Sequence, residues 1–193
     1  VSGAGGPVVA AEKTGATNLK DFIAYAKKVD KLNWGSYGVG STPHVLIETM
    51  AKQYGLKVEV IQYRGEAPMW ADVAAQTLDG ASGSYAAAAP VIQSGRGKLI
   101  AVTGDRLLPH PDTPSMKEQG AVGRFYDSRA FTTFAVPAGT PDDVVKKLSE
   151  GLVLAGNDAK VKTLLANYLL NPPTNFETTN AGFKRDTEIM LEL

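Results

Sequence analysis

The residues best suited to bind a ligand lie in a glycine-rich segment between positions 33 and 44. It reads Asn-Trp-Gly-Ser-Tyr-Gly-Val-Gly-Ser-Thr-Pro-His, with Gly35, Gly38 and Gly40 within six residues. Glycine has no Cβ and adopts positive φ readily, so such a loop turns tightly and exposes its amides. Amides at a helix start, together with the helix dipole, form a site for an anion. The segment therefore predicts that neutral donors bind a small anion, against the simpler interpretation of a plain strand-to-helix turn.

A helix is predicted to begin at the end of this segment. Ser41 or Thr42 suits the N-cap, and Pro43 suits the first helical position. The hydroxyls of Ser36, Ser41 and Thr42 are expected to assist the amides. The segment is not a dinucleotide fingerprint, because Pro43 occupies the position of the third glycine, and no Lys follows to make a P-loop.

Two later segments add candidates for the same site. Arg64 follows a predicted strand, and its planar guanidinium either pairs with a carboxylate or is a solvated surface charge. The amides of Gly65 and Glu66 open the next predicted helix. Ser84 offers another hydroxyl. Tyr85, like Trp34 and Tyr37, either packs in the core or rim or stacks on a flat, aromatic acid.

Catalysis and metal binding find little support in the sequence. His44 lies in a predicted first helical turn, and His110, the other histidine, lies in a proline-rich stretch. A catalytic histidine needs a nucleophile and an orienting acid nearby, so His44 is expected at the ligand-binding site in a structural role or as a support for the residues that contact the ligand. The chain has no cysteine, which excludes disulfides and thiolate chemistry, and its acids show no metal-ligand spacing. We therefore expect no catalytic residues, no metal and no cofactor.

Composition excludes further classes of partner. The 193 residues are 44% hydrophobic, and 20 Lys and Arg balance 20 Asp and Glu. A neutral chain without a basic run is a poor partner for nucleic acid or an anionic membrane. No apolar stretch approaches the roughly 20 residues of a membrane span, so direct insertion is not expected. The chain starts at Val1 and shows no signal peptide.

Helices alternate with short strands between positions 17 and 102, which favours an α/β fold with a parallel sheet covered by helices. Pro109, Pro111 and Pro114 then predict an extended surface connection. A strand over 131–136 and three helices follow. This lone strand either joins the first sheet or belongs to a second domain.

Six segments together resemble the Bug-type substrate-binding receptors of tripartite tricarboxylate transporters. They are Asn33-Trp34-Gly35-Ser36 through Ser41-Thr42-Pro43-His44, Tyr63-Arg64-Gly65-Glu66-Ala67-Pro68, Leu78-Asp79-Gly80, Lys98-Leu99-Ile100-Ala101-Val102-Thr103, Leu108-Pro109 to Pro114 with Glu118-Gln119-Gly120, and Val136-Pro137-Ala138-Gly139-Thr140-Pro141. The resemblance covers nearly the whole chain. The bulky Trp34 and Tyr37 depart from the family pattern, as does Gly83-Ser84-Tyr85, where the family often has an acidic or amide residue.

The resemblance implies a periplasmic-binding-protein-like fold (type II), with two α/β domains that close on a small carboxylate. By analogy, residues 8–103 are the second, ligand-binding domain, 104–130 a connection and hinge crossing, and 131–193 the returning part of a first domain that is incomplete here. The hinge is expected near Val8 to Glu12 and Thr103 to Phe131. The implied protein is a periplasmic receptor that delivers a di- or tricarboxylate, an amino acid or an aromatic acid to membrane transporter subunits.

Two other classes stay open at this point. One is an α/β enzyme that binds a phosphate or acyl anion at the glycine-rich loop. The other is a ligand-sensing domain of a regulator. The residues alone do not identify the acid, the transporter partner or the oligomeric state.

Overall fold

The computed structural model describes residues 2–191, with side chains for 5–129, 132–189 and 191. Two compact units are present, Gly5–Ser128 and Val1–Ala4 with Arg129–Leu193. We call them the sheet unit and the helical unit. The chain passes from one unit to the other after residue 4 and again after residue 128. The identification of these units with the second and first domains of a receptor remains a prediction.

The sheet unit contains five of the strands and four of the helices. The strands are β2 (Pro7–Ala11), β3 (Leu32–Ser36), β4 (Val58–Gln62), β5 (Gly80–Ser82) and β6 (Gly97–Val102), and the helices are α1 (Leu19–Ala26), α2 (Thr42–Tyr54), α3 (Glu66–Ala74) and α4 (Tyr85–Gln93). Short 3-10 helices lie at Glu12–Thr14 and Arg124–Asp127. The strand order is β4-β3-β5-β2-β6. The alternation of helices and short strands expected between positions 17 and 102 is therefore present.

Strand direction differs from the expectation at one place. β3 is parallel to β4 and β5, whereas β2 is antiparallel to its neighbours β5 and β6. Four strands therefore share one direction and β2 alone opposes them. The parallel sheet predicted from the helix–strand alternation is correct for those four. A run of buried apolar residues such as 7–11 indicates a central strand but carries no information about its direction.

Helices cover both faces of the sheet. On one face, α1 and α2 pack with Trp34 and Ile100 in a core that includes Phe22, whose ring centroid lies 6.0 Å from that of Trp34. On the other face, α3 lies against Gly35, where a Cβ would stand 2.6 Å from Met69 Cγ. The absence of a side chain at Gly35 is thus what lets α3 approach the strand.

Residues 104–128 lie largely at the surface, as expected around Pro109, Pro111 and Pro114, but they also bury several apolar side chains. Leu107, Met116, Phe125 and Tyr126 are buried, and the Tyr126 hydroxyl donates to Gln53 Oε1 at 2.8 Å. Prolines and charges dominate this segment, so its apolar residues gave no periodic signal. Val8 to Glu12, expected as a hinge, contains instead most of the central strand β2.

The helical unit contains α5 (Asp142–Gly156), α6 (Ala159–Asn167) and α7 (Phe176–Leu191), with β1 (Ser2–Gly5) paired to β7 (Arg129–Phe131). The predicted strand over 131–136 is thus displaced toward the N-terminus, and it does not join the five-stranded sheet. The three helices expected after this strand are present. Leu148 and Leu152, on the apolar stripe of α5, remain 49% and 37% exposed.

A buried carboxylate fixes the amino edge of the sheet. Asp79 accepts hydrogen bonds from the Asn33 amide at 2.7 Å and the Tyr25 hydroxyl at 2.9 Å, and Lys13 Nζ lies 2.9 Å away. The Asp79 side chain is 5% exposed. A buried charge with three partners is costly to remove, because the partners lose a hydrogen-bond acceptor that compensates them for leaving water.

We therefore expect Asp79→Ala to lower the free energy of unfolding by about 3 kcal/mol. Glu59→Ala is the matched control, since it also removes a carboxylate partnered by a lysine, Lys31, but one that is half exposed. Its cost is expected to stay below about 1 kcal/mol. Urea unfolding of both variants measures the difference, and equal losses would contradict the structural role given to Asp79.

Candidate functional site

The predicted ligand-binding residues lie along one edge of the sheet unit. β3, β4 and β5 run in the same direction, so the segments that follow them, at 36–44, 64–66 and 84–85, lie at the same edge. The chain after β3 continues to β4 on one side, and the chain after β5 continues to β6 on the other. Between β3 and β5 the winding reverses, and in α/β folds ligands bind beside such a reversal.

The start of α2 differs in detail from the prediction. Ser41 is the N-cap residue and the helix begins at Thr42, so Pro43 is in the second helical position and not the first. The Ser41 side chain does not cap the helix. Its hydroxyl lies 3.0 Å from that of Ser36, whose own Oγ is 3.2 Å from the Gly38 carbonyl. The hydroxyl pair therefore leaves the first-turn amides without a side-chain acceptor.

Part of the loop's donor set is already used. The Gly40 amide donates to His44 Nδ1 at 2.9 Å, and the Ser41 amide donates to the Gly38 carbonyl at 3.1 Å. Among the described residues, no acceptor is recorded for the amides of Tyr37, Gly38, Val39 and Thr42. The side chain at 39 is 83% exposed. These open donors, at the positive end of the 13-residue α2, are where an anion is best accommodated.

His44 stabilises the conformation of the loop that precedes α2. Its Nδ1 accepts from Gly40, which in the neutral ring leaves the hydrogen on Nε2. Nε2 lies 3.9 Å from Glu48, one turn later on α2. Gly40 itself has φ of +77°, a conformation that only glycine adopts readily. The imidazole thus fixes the shape of the loop.

Arg64 and Gly65 lie before α3. The Arg64 side chain is exposed and has no recorded partner among the described residues. Gly65 is the N-cap residue with φ of +104° and makes no side-chain cap. The arrangement leaves an exposed cation and open amides at the same edge as the α2 loop.

The side chain of Glu66 is hydrogen-bonded to Ser84. Glu66 Oε2 accepts from the Ser84 amide at 2.9 Å and from its hydroxyl at 3.0 Å. Trp70 Nε1 donates to the same oxygen at 3.2 Å. Ser84 also caps α4, with Oγ 3.4 Å from the Ala87 amide. The sequence offered the Glu66 amide as a donor, but it gave no signal that the side chain would bridge α3 and α4.

The three aromatic candidates occupy different environments. Trp34 is fully buried and its Nε1 donates to the Pro43 carbonyl at 3.1 Å, so it belongs to the core and cannot stack on a ligand. The Tyr85 hydroxyl lies 2.9 Å from His110 Nε2, with ring centroids 5.4 Å apart. His110, which the sequence placed in a surface connection, thus contacts this edge. Tyr37 is partly exposed, with no recorded bond from its hydroxyl to the described residues.

Burial raises the pKa of Tyr37 to about 12, and the charge of Glu66 adds to this shift. In the folded state Tyr37 therefore stays protonated, while in the unfolded chain it ionises near pH 10. Its contribution to stability is complete below pH 10 and is lost as the pH rises to 12.

We expect Tyr37→Phe to lose less stability than the wild type between pH 10 and pH 12, because phenylalanine cannot ionise. At pH 7 the two proteins should differ little, since the hydroxyl has no recorded partner. Urea unfolding at pH 7, 10 and 11.5 tests this, and parallel pH profiles would show that Tyr37 is not shielded from water.

Among the described residues, neither the cavity of the helical unit nor any acidic cluster offers a better site for a small anion. In the helical unit, a cavity of about 530 Å³ is lined mainly by apolar side chains such as Val145, Leu148 and Phe183. The described residues that line it include no Lys or Arg. Among the described residues, no cluster of three acids or histidines is placed to hold a metal. None of the described helices is both long and apolar enough for a membrane span.

Comparisons with known proteins agree on one family. The model of the tripartite tricarboxylate transporter family receptor matches residues 2–187. A UPF0065 protein of Bordetella pertussis (strain Tohama I) is 32% identical over 164 residues, which cover 83% of this chain and 50% of the relative. The chain thus spans about half the length of this relative.

Solved structures share the fold. R. palustris Rpa4515 with adipate aligns with a TM-score of 0.83 at 22% identity, over 96% of this chain and 62% of that one. The periplasmic binding protein BugD aligns with a TM-score of 0.80 at 25% identity, over 100% of this chain and 65% of that one. The chain therefore has the α/β fold of these periplasmic binding proteins.

Proposed function

The chain belongs to the receptor family of tripartite tricarboxylate transporters, and we propose that it binds a small organic carboxylate at the start of α2. This family consists of solute receptors and not of enzymes. The proposal depends on one observation, the open amides of Tyr37, Gly38, Val39 and Thr42 at the positive end of a helix. The similar fold of Rpa4515, solved with adipate, supports a carboxylate as the ligand.

The carboxylate of the ligand is bound mainly by oriented peptide dipoles, and a charged side chain contributes less. One carboxylate accepts hydrogen bonds from the open amides of residues 37–39 and 42, and the hydroxyls of Ser36 and Ser41 border it. Arg64 adds an exposed cation at the same edge. Oriented amides stabilise an anion most strongly where water is excluded, since electrostatic interactions strengthen as the local dielectric constant falls. Affinity therefore rises when the site is covered.

The biological role that follows is that of a periplasmic receptor, which delivers the bound acid to membrane subunits of a transporter. The di- and tricarboxylates, amino acids and aromatic acids are the classes to test. Tyr37 is the aromatic side chain best placed to stack on a flat acid, because Trp34 is buried and the Tyr85 hydroxyl is paired with His110.

A thermal-shift screen of these acids tests binding, with Gly40→Val as the diagnostic variant. A ligand at a hundred times its dissociation constant stabilises the fold by about 2.7 kcal/mol. Valine at φ of +77° strains the loop and displaces its amides. We expect this variant to lose the ligand-induced shift.

Gly15→Val is the matched control. Gly15 has φ of +66°, and at both glycines nothing lies within 4 Å of an added Cβ. Gly15 follows β2, whose end lies at the opposite edge of the sheet. Both variants should lose about 1–3 kcal/mol through backbone strain, but Gly15→Val should keep the shift. Retention of the shift in Gly40→Val would place the ligand elsewhere.

Arg64 provides a second, weaker test. An exposed ion pair contributes up to about 1 kcal/mol, so Arg64→Gln should raise the dissociation constant by about fivefold at low salt. Lys57→Gln makes the same change in charge before β4, at the far edge, and should leave affinity unchanged. Titration calorimetry in 20 mM and 200 mM NaCl measures both. Equal effects of the two variants would show that Arg64 acts only through net charge.

A further inference from the structure

The start of α4 already holds a carboxylate that belongs to the protein. Glu66 Oε2 lies 2.9 Å from the amide and 3.0 Å from the hydroxyl of Ser84, the N-cap residue of this nine-residue helix. Trp70 Nε1, 3.2 Å away, fixes the same oxygen from α3. An anion at a helix start is stabilised by the dipole and the free amides. Glu66 therefore occupies a position that would otherwise attract an external anion.

Gly83 leaves the space that the Glu66 carboxylate occupies at the start of α4. A Cβ at residue 83 would stand 2.6 Å from Glu66 Oε2 and 3.0 Å from its Cδ. Gly83 is not among the glycines with positive φ, so its backbone conformation does not require glycine. What requires glycine here is the space that the carboxylate fills. Residues 66 and 83 are thus complementary in size as well as adjacent.

The two helix starts at this edge differ in their electrostatics. The α2 start has open amides and no acid bonded to it, whereas the α4 start is closed by Glu66. The two lie side by side, because β3 and β5 are adjacent parallel strands and are followed by the α2 loop and by Gly83 and Ser84. The recorded hydrogen bonds of Glu66 all reach Oε2, and no described group donates to Oε1. One face of this carboxylate is therefore able to accept a further donor.

We propose that Glu66 determines specificity, by selecting acids that carry one carboxylate and a hydrogen-bond donor over acids that carry two carboxylates. The inference rests on the proposed function, since it assumes that one carboxylate binds at the α2 start. The other end of the ligand then faces Glu66. A second carboxylate meets the like charge of Glu66, while an amide or ammonium group donates to Oε1.

Titration calorimetry with matched ligand pairs tests this on the full 193-residue chain. Each pair consists of a dicarboxylate and its monoamide, succinate with succinamate and adipate with adipamate, so that size is kept and one charge is removed. We expect the wild type to bind the monoamide at least tenfold more tightly in the better-fitting pair. In Glu66→Gln, this preference should fall at least tenfold, because the repulsion is gone.

Glu59→Gln is the control, since it makes the same change in charge on β4 in an exposed side chain. It should keep the preference of the wild type. If Glu66→Gln does not fold, Glu66→Ala replaces it, because Ser84 is exposed and water can satisfy its amide. A purely structural role for Glu66 predicts that both ligands weaken equally.

The outcomes separate the two proposals. An unchanged preference in the Glu66 variants, or tighter binding of the dicarboxylate by the wild type, overturns the inference and leaves carboxylate binding intact. Failure of the wild type to bind any of the four acids or those of the thermal-shift screen overturns the proposed function, and the inference with it.

Discussion

The common direction of β3, β4, β5 and β6 is the constraint on which the rest of the sheet unit depends. It brings the segments after these strands to one edge, and it makes α2, α3 and α4 begin there. Each helix start presents unsatisfied amides, which side chains or ligands must accept. The structure resolves this differently at each helix. At α4 it uses Glu66 and Ser84, while at α2 it uses His44 for one amide and leaves others open.

The difference between the α2 and α4 starts determines which ligands this edge can bind. A carboxylate from the protein and an open helix start lie at the same edge, so the protein presents an anion and an anion-binding group together. Such an arrangement suits a ligand with unlike ends. The structural neighbours share the fold at 20–25% identity, and a common scaffold with different side chains at helix starts is how one fold accommodates many ligands.

Much of this was predictable from the sequence, and the rest was not, for identifiable reasons. The glycine spacing and Ser41-Thr42-Pro43 located the loop and the start of α2, because both depend on local backbone preferences. The apolar periodicity located α1 to α4. The reversed β2, the packing of residues 104–128, and the contacts of Glu66 with Ser84 and of Tyr85 with His110 all depend on residues distant in sequence. The burial of Trp34 was ambiguous for the same reason, because its position next to a glycine loop suits a rim as well as a core.

The central position of β2 has a consequence for how the chain acquires its structure. Val8 pairs with Ser82 and Val9 with Leu99, residues more than seventy positions later. During synthesis β2 therefore stays unpaired until β5 and β6 have emerged. Long-range pairing of this kind slows folding and leaves apolar segments exposed to aggregation in the meantime.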